Sequence, residues 1–76
     1  MSVSNKIKSM IKAKGLKGYD LAEYFGISHQ AFRNKLNRDS FSAEDLIKVA
    51  HFLGYELAFI SDTQKTILDL DDIKAD

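Results

Sequence analysis

The sequence predicts a mainly α fold, a four-helix domain that ends in a β-hairpin. Apolar residues recur at helical spacing as far as Leu53, and after Gly54 the pattern changes to the alternation typical of strands. The 76 residues suffice for one domain with one hydrophobic core. The chain contains no proline, the residue that interrupts helices. These observations together favour short helices followed by a hairpin.

The first two predicted helices are short. The first is expected to begin at a cap on Ser4 or Asn5 and to end near Lys14. The second is expected from Tyr19 to Phe25. Gly26 follows at once, in the position where a chain turns through a left-handed conformation.

Two further helices are predicted after this turn. The third runs from a cap at Ser28 to about Asn37, and Asp39 to Phe41 form a loop. The run from Ser42 to Asp45 is typical of a capping box and begins a fourth helix, which ends at Leu53. The residues expected to be buried are Ala31, Phe32, Leu36, Leu46, Val49, Ala50 and Leu53, with Ile47 partly buried. Residues 55–60 and 66–70 are the predicted strands, joined by a polar turn at 61–65.

Residues 18–38 have the pattern of a helix-turn-helix motif. Two helices that cross steeply need a small residue at the crossing, a turn residue that tolerates positive φ, and a buried apolar residue after the turn. Ala22, Gly26 and Ile27 meet these needs in order, and Phe32 faces back from the second helix to the first. We therefore divide the chain into a helix-turn-helix domain at 1–54, a hairpin of the same domain at 55–70, and a frayed acidic tail at 71–76.

This motif resembles that of the lambda-repressor and Cro-like family, the XRE family of transcriptional regulators. The resemblance covers Ser4 to Phe59 and rests on Leu21, Ala22, Gly26, Ile27 and Ser28. It implies a lambda-repressor-like DNA-binding domain whose third helix enters the major groove. The chain departs from the family at the end of that helix. Leu36 and Arg38 replace an acid and a glycine, and Lys35 replaces an apolar residue.

The resemblance assigns base contacts to the exposed N-terminal half of the third helix. Glutamine pairs bidentately with adenine, and arginine with guanine, in the major groove. The expected base contacts are Ser28, His29, Gln30, Arg33 and Asn34. Phosphate contacts are expected at the edges of the motif, from Lys17, Tyr19, Lys35, Asn37, Arg38 and Ser40.

The distribution of charge supports DNA binding although the formal net charge is zero. Residues 1–38 carry eight basic and two acidic side chains, a net +6, and residues 39–76 carry three basic and nine acidic ones, a net −6. This asymmetry indicates that one half faces a polyanion. The sequence therefore predicts sequence-specific binding of double-stranded DNA by a transcriptional regulator, a repressor of bacterial or phage origin. The acidic half keeps an alternative open, in which the chain is a helix-turn-helix module that binds a protein partner or is itself an antitoxin-like partner protein.

Other functional classes have little support in the sequence. There is no cysteine, which excludes disulfides and thiolate metal sites. His29 and His51 form no catalytic arrangement and no glycine loop cradles phosphate, so we expect no enzyme and no cofactor. The aspartates near the C-terminus lack the glycine and glutamate of an EF-hand loop, and no metal is predicted. No apolar run reaches the roughly 20 residues that cross a bilayer, and we expect a cytoplasmic, nucleoid-associated protein without membrane contact.

The apolar side chains of the predicted hairpin indicate that the chain forms a homodimer. An isolated two-stranded hairpin is marginally stable in water, and this one has more apolar side chains than a hairpin usually needs. The expected dimer interface consists of Tyr55, Leu57, Phe59, Ile60 and Ile67. A two-fold dimer would place the third helices of its two copies about 34 Å apart, which is one turn of the DNA duplex.

Overall fold

A computed structural model, which describes residues 2–73, contains four helices and a two-stranded antiparallel sheet and confirms the predicted fold class. The elements are α1 (Val3–Ala13), α2 (Gly18–Phe25), α3 (His29–Arg38), α4 (Ala43–Leu53), β1 (Leu57–Ile60), β2 (Lys65–Leu68) and a 3-10 turn (Leu70–Asp72). None of the helices between residues 2 and 73 has the length and apolar character needed to cross a membrane. Residues 74–76 of the predicted tail lie outside the described residues.

Phe32 of α3 lies in the hydrophobic core and is completely buried. Its ring makes edge-to-face contacts with Phe25 of α2, at 5.7 Å between ring centroids, and with Phe41, at 6.1 Å. Aromatic pairs at these distances stabilise a fold beyond the burial of their surface. The other buried members of this core come from α1, α2 and α4 and are Ile7, Ile11, Leu21, Ala22, Val49 and Leu53. All four helices therefore share one core.

The start of α1 differs from the prediction. The N-cap is Ser2, whose hydroxyl accepts a hydrogen bond from the Asn5 N–H at 3.1 Å, so the predicted cap at Ser4 or Asn5 is wrong. Ser4 lies inside the helix and is buried, because it precedes Ile7 and Ile11 by three and seven residues on the same face. Because Ser4 is polar, the apolar spacing begins only at Ile7 and does not mark the first turn of the helix.

The predicted caps of α3 and α4 are confirmed. The Ser28 hydroxyl accepts a hydrogen bond from the Ala31 N–H at 3.0 Å. In α4 the Ser42 hydroxyl accepts from the Asp45 N–H at 3.1 Å, and the Asp45 carboxylate accepts from the Ser42 N–H at 3.0 Å. Both caps satisfy backbone N–H groups that the first turn of a helix leaves without partners.

Burial along α3 and α4 differs in part from the prediction. Ile47, expected to be partly buried, is buried, and Leu46, expected to be buried, is half-buried. The base of the hairpin and the 3-10 turn pack against α4 on the side that carries Ile47, and helical periodicity does not reveal such a contact. Ala31 and Leu36, expected to be buried, are half-buried.

The two strands of the hairpin pair with Leu57 opposite Leu68 and Ile60 opposite Lys65. The first strand is shorter than predicted. The Tyr55 N–H donates to the Ala50 carbonyl at 2.8 Å, so Tyr55 still belongs to the end of α4. The Lys14 ammonium lies 4.8 Å from the centre of the Tyr55 ring and links the end of α1 to this connection.

The 3-10 turn replaces the end of the predicted second strand and the start of the predicted tail. Leu70 lies in this turn and not in β2. The Asp69 carboxylate accepts the Asp71 N–H at 3.0 Å, and the Asp72 carboxylate accepts the Asp69 N–H at 2.9 Å. These aspartates cap a turn of the backbone, so the prediction of a frayed tail from Asp71 onward is wrong for Asp71 and Asp72.

The core position of Phe32 has a direct test in a pair of phenylalanine variants. Phe32→Ala should lower the free energy of unfolding by about 3–5 kcal/mol, since it removes buried surface and leaves a cavity. Phe59 is 72% exposed, and Phe59→Ala should change the same quantity by less than about 0.5 kcal/mol. Urea unfolding followed by circular dichroism measures both variants. Equal losses would contradict the assignment of Phe32 to the core.

Candidate nucleic-acid interface

The turn between α2 and α3 is closed by Gly26 in the left-handed conformation, with φ at +73°. The Ile27 N–H donates to the Ala22 carbonyl at 3.1 Å, which folds the chain back over the end of α2. Ile27 is half-buried and packs against the core, as predicted. A side chain at residue 26 would meet no neighbouring atom, so the need for glycine comes from the backbone angle alone.

The beginnings of α2 and α3 lie close together. A Cβ atom added to Gly18 would be 3.7 Å from the Phe32 ring, so the backbone of α2 approaches this ring closely. The Tyr19 and His29 rings meet edge to face with 6.1 Å between their centroids. Both rings are exposed, and this contact connects a predicted phosphate contact to a predicted base contact.

The exposed side of α3 brings the predicted base contacts together. His29, Gln30, Arg33 and Asn34 are all exposed, and we call them the reading face. The Gln30 amide nitrogen donates a hydrogen bond to the Asn34 amide oxygen at 3.3 Å. Ser28, the fifth predicted base contact, is exposed beside them, although its hydroxyl is used in the cap. The reading face thus offers several donors and acceptors and has no acidic member.

Most of the predicted phosphate contacts are exposed on the flanks of the reading face. The exposed members are Lys17, Tyr19, Asn37, Arg38 and Ser40. At the start of α2 the Lys17 N–H donates to the Asp20 carboxylate at 2.9 Å. One N–H at that helix terminus therefore already has an acceptor.

Lys35 differs from the other predicted phosphate contacts because it has a partner in the protein. Its ammonium lies 2.9 Å from the Asp45 carboxylate, and both side chains are half-buried. Burial raises the pKa of Asp45, but the hydrogen bonds from Lys35 and Ser42 and the charge of Lys35 outweigh it and hold that pKa below its ordinary value. The pair joins the end of α3 to the start of α4.

Asp39, predicted only as part of a loop, is a structural residue of this region. It follows α3 in the left-handed conformation, with φ at +55°. Its carboxylate accepts the Ser4 N–H at 2.7 Å and so joins the end of α3 to the first turn of α1. Aspartate is one of the few residues that tolerate this conformation, which is the signal the sequence contains. No comparable feature of the sequence identifies its partner Ser4, which lies 35 residues away.

The contact with Ser4 also affects the ionisation of Asp39. The Ser4 hydroxyl and the Ser4 backbone N–H hold the pKa of the Asp39 carboxyl below its ordinary value of 3.8. Only the N–H meets the geometry of a hydrogen bond, because the buried hydroxyl is unpartnered among residues 2–73. The Ser4 N–H is therefore the group that stabilises the charged Asp39 carboxylate. A carboxyl whose pKa is lower in the folded state stabilises the fold in its charged form.

Asp39→Asn should therefore reduce stability in a way that depends on pH. Asparagine tolerates the left-handed conformation and keeps an oxygen for the Ser4 N–H, so the variant removes only the charge. The contribution of the charge is complete above the unfolded pKa and disappears as the pH falls through the lower, folded pKa. We expect the variant to unfold at lower urea concentration than the wild type at pH 7, and the gap to close below pH 3.8. Asp62→Asn, in the hairpin turn, is the control, and a gap that does not change with pH would contradict the charge effect.

The sequence of the chain is similar to known phage proteins over the region just described. The family model described as the bacteriophage CI repressor helix-turn-helix domain matches residues 5–67. The repressor protein CI of Enterobacteria phage phi80 is 36% identical over 59 residues, 78% of this chain, and the match covers 25% of that relative. No solved structure matches the chain. The predicted resemblance to lambda-repressor-like regulators is confirmed, and the chain belongs to the family of bacteriophage CI repressor helix-turn-helix domains.

Proposed function

We propose that the chain binds double-stranded DNA at specific sequences and acts as a transcriptional repressor, with α3 in the major groove. The observation that carries the proposal is the reading face, which lies on one exposed side of a helix that follows a tight turn. The major groove admits an α-helix, and each base pair presents a distinct pattern of donors and acceptors there. A face with several hydrogen-bonding groups and no acid suits that pattern.

Two side chains of the reading face have preferred bases. Arg33 suits guanine, whose O6 and N7 accept two hydrogen bonds, and Gln30 suits adenine, which offers a donor and an acceptor. Each bidentate pair contributes about 1–3 kcal/mol of discrimination. The hydrogen bond to Asn34 leaves the Gln30 amide oxygen to accept and the Asn34 amide nitrogen to donate. Ser28 and His29 contact the DNA from the first turn of α3.

The flanks of the reading face supply contacts to the phosphate backbone. These contacts fix the position of the protein without reading sequence. On one side of the reading face, the phosphate backbone is contacted from the start of α2 by Lys17 and Tyr19. On the other side it is contacted from the end of α3 and the residues after it, by Asn37, Arg38 and Ser40. Lys35 joins them when a phosphate replaces the Asp45 carboxylate beside its ammonium. The net charge of +6 on residues 1–38 favours this approach.

The role as a repressor rests on the relative. The phi80 protein is named a repressor, and this chain matches about a quarter of its length. A DNA-binding domain represses by occupying its site. The net charge of −6 on residues 39–76 supports a second candidate, in which the chain is a helix-turn-helix module that binds a protein partner or is itself an antitoxin-like partner protein.

A titration with random-sequence duplex DNA should show affinity that falls steeply with salt. Each neutralised phosphate releases counterions and adds about −0.9 to the slope of log affinity against log salt. Fluorescence anisotropy at about 50 mM and about 200 mM salt measures this slope. Absence of binding at the lower salt concentration would contradict DNA binding and favour the protein-partner candidate.

Variants of the reading face and of its flank should behave differently. Arg33→Ala or Gln30→Ala should reduce the preference for the selected site over random duplex by about 1–3 kcal/mol. Lys17→Ala should weaken binding to both duplexes equally and reduce the salt slope by about 1. Sites selected from a random DNA pool, followed by competition binding, give these ratios. Lys48→Ala, which removes a positive charge from α4, is the control, and an equal loss of preference in Lys17→Ala and Arg33→Ala would contradict the assignment.

A further inference from the structure

Lys35 and Asp45 form an ion pair at the end of α3, within the flank that we propose to contact phosphates. Lys35 precedes Arg38 by three residues, so their side chains lie on the same side of the helix. The Ser40 N–H donates to the Lys35 carbonyl at 3.0 Å, which keeps Ser40 next to Lys35. The Asp45 carboxylate therefore brings a negative charge to the side of α3 where three phosphate contacts are expected.

One oxygen of the Asp45 carboxylate holds the Lys35 ammonium. This Oδ2 atom lies 2.9 Å from the Lys35 nitrogen and also accepts the Ser42 N–H at 3.0 Å. Among residues 2–73, Lys35 forms an ion pair with no second acid. Phosphate oxygens accept charge-assisted hydrogen bonds from ammonium groups just as carboxylate oxygens do. The carboxylate of Asp45 thus occupies the place that a phosphate oxygen would take at this ammonium.

The ion pair is open to exchange with an anion from outside the protein. The Lys35 side chain is 32% exposed, so a phosphate can approach the ammonium from solvent. An ammonium on a flexible stem acts as a point charge and accepts either anion without a fixed geometry. After the exchange Asp45 keeps the Ser42 N–H but has lost its cation. This loss costs free energy, because the Asp45 side chain is only 14% exposed and water cannot fully replace Lys35.

We infer that Asp45 is an affinity-determining residue of the DNA interface, because it competes with the phosphate backbone for Lys35. The inference rests on the proposed function and adds a cost to binding. Phosphates carry no sequence information, so this cost is the same at selected and at random sites. Asp45 thus sets the protein concentration at which DNA is occupied, and the reading face sets which sites are preferred. Lys35 replaces an apolar residue of the family pattern, so the competition depends on a feature of this chain.

Asp45→Asn tests the competition. The amide keeps an oxygen for the Ser42 N–H, so the variant removes the charge and retains the cap. Selected and random duplexes should both bind about 5-fold more tightly, the equivalent of one partly exposed ion pair. Fluorescence anisotropy at about 0.15 M salt, where the Debye length is about 8 Å, measures the affinities. Thermal unfolding followed by circular dichroism should show a folded variant.

Glu44→Gln is the matched control for this charge. It removes one negative charge from the neighbouring residue of α4, which is exposed. Solvent and salt screen an exposed charge, so this variant should change the affinity by less than about 2-fold. The difference between Asp45→Asn and Glu44→Gln is therefore the effect of releasing Lys35.

A double variant tests whether the effect of Asp45 acts through Lys35. Lys35→Met combined with Asp45→Asn removes both charges and keeps an unbranched side chain at residue 35. This protein should make one phosphate contact fewer than Asp45→Asn alone. The slope of log affinity against log salt should therefore be about 0.9 less steep in the double variant.

The results distinguish this inference from the proposed function. A wild-type protein that does not bind duplex DNA would contradict both of them. Binding by the wild type together with a gain in Asp45→Asn no larger than that in Glu44→Gln would overturn the inference alone. An equal salt slope in Asp45→Asn and the double variant would also overturn it, because Lys35 would then have no phosphate partner. A gain confined to the selected duplex would overturn the assignment to the phosphate backbone.

Discussion

The burial of Phe32 at the crossing of α2 and α3 determines which side of α3 faces solvent. This side chain has no exposed surface, and its ring lies against the backbone of Gly18. Because the period of a helix fixes the angles between its residues, burial of this ring turns Gln30, Arg33 and Asn34 outward. The orientation of the reading face is therefore set by the packing of the core, and its own residues are left available for hydrogen bonds outside the protein.

The C-terminal end of α3 is joined by two polar contacts to two different helices. The Asp39 carboxylate joins it to α1, and the Lys35 ammonium joins it to α4. These contacts restrain the C-terminal end of α3 relative to α1 and α4. The helix is thus fixed by apolar packing along its inner side and by polar contacts at its end. Functional sites depend on side chains that surrounding contacts hold in place, and α3 has such contacts on its inner side and at its C-terminal end.

Most of the fold follows from short-range patterns in the sequence. The caps at Ser28 and Ser42 and the left-handed turn at Gly26 depend on residues within four positions of one another, and each of these predictions is confirmed. The partners of Asp39 and Lys35 are 35 and 10 residues away. Spacing along the chain does not encode such contacts, because they arise only when helices are placed in three dimensions. The same reason applies to the burial of Ile47, since the base of the hairpin and the 3-10 turn pack against α4 there.

The hydrogen bond between Gln30 and Asn34 has a consequence for the thermodynamics of recognition. Immobilising a flexible side chain in an interface costs about 0.5–1.5 kcal/mol of conformational entropy. In this protein the two amides already restrict each other within α3. Part of that ordering is therefore complete in the unbound state, and the partner that finally contacts these amides needs to supply less free energy to fix them.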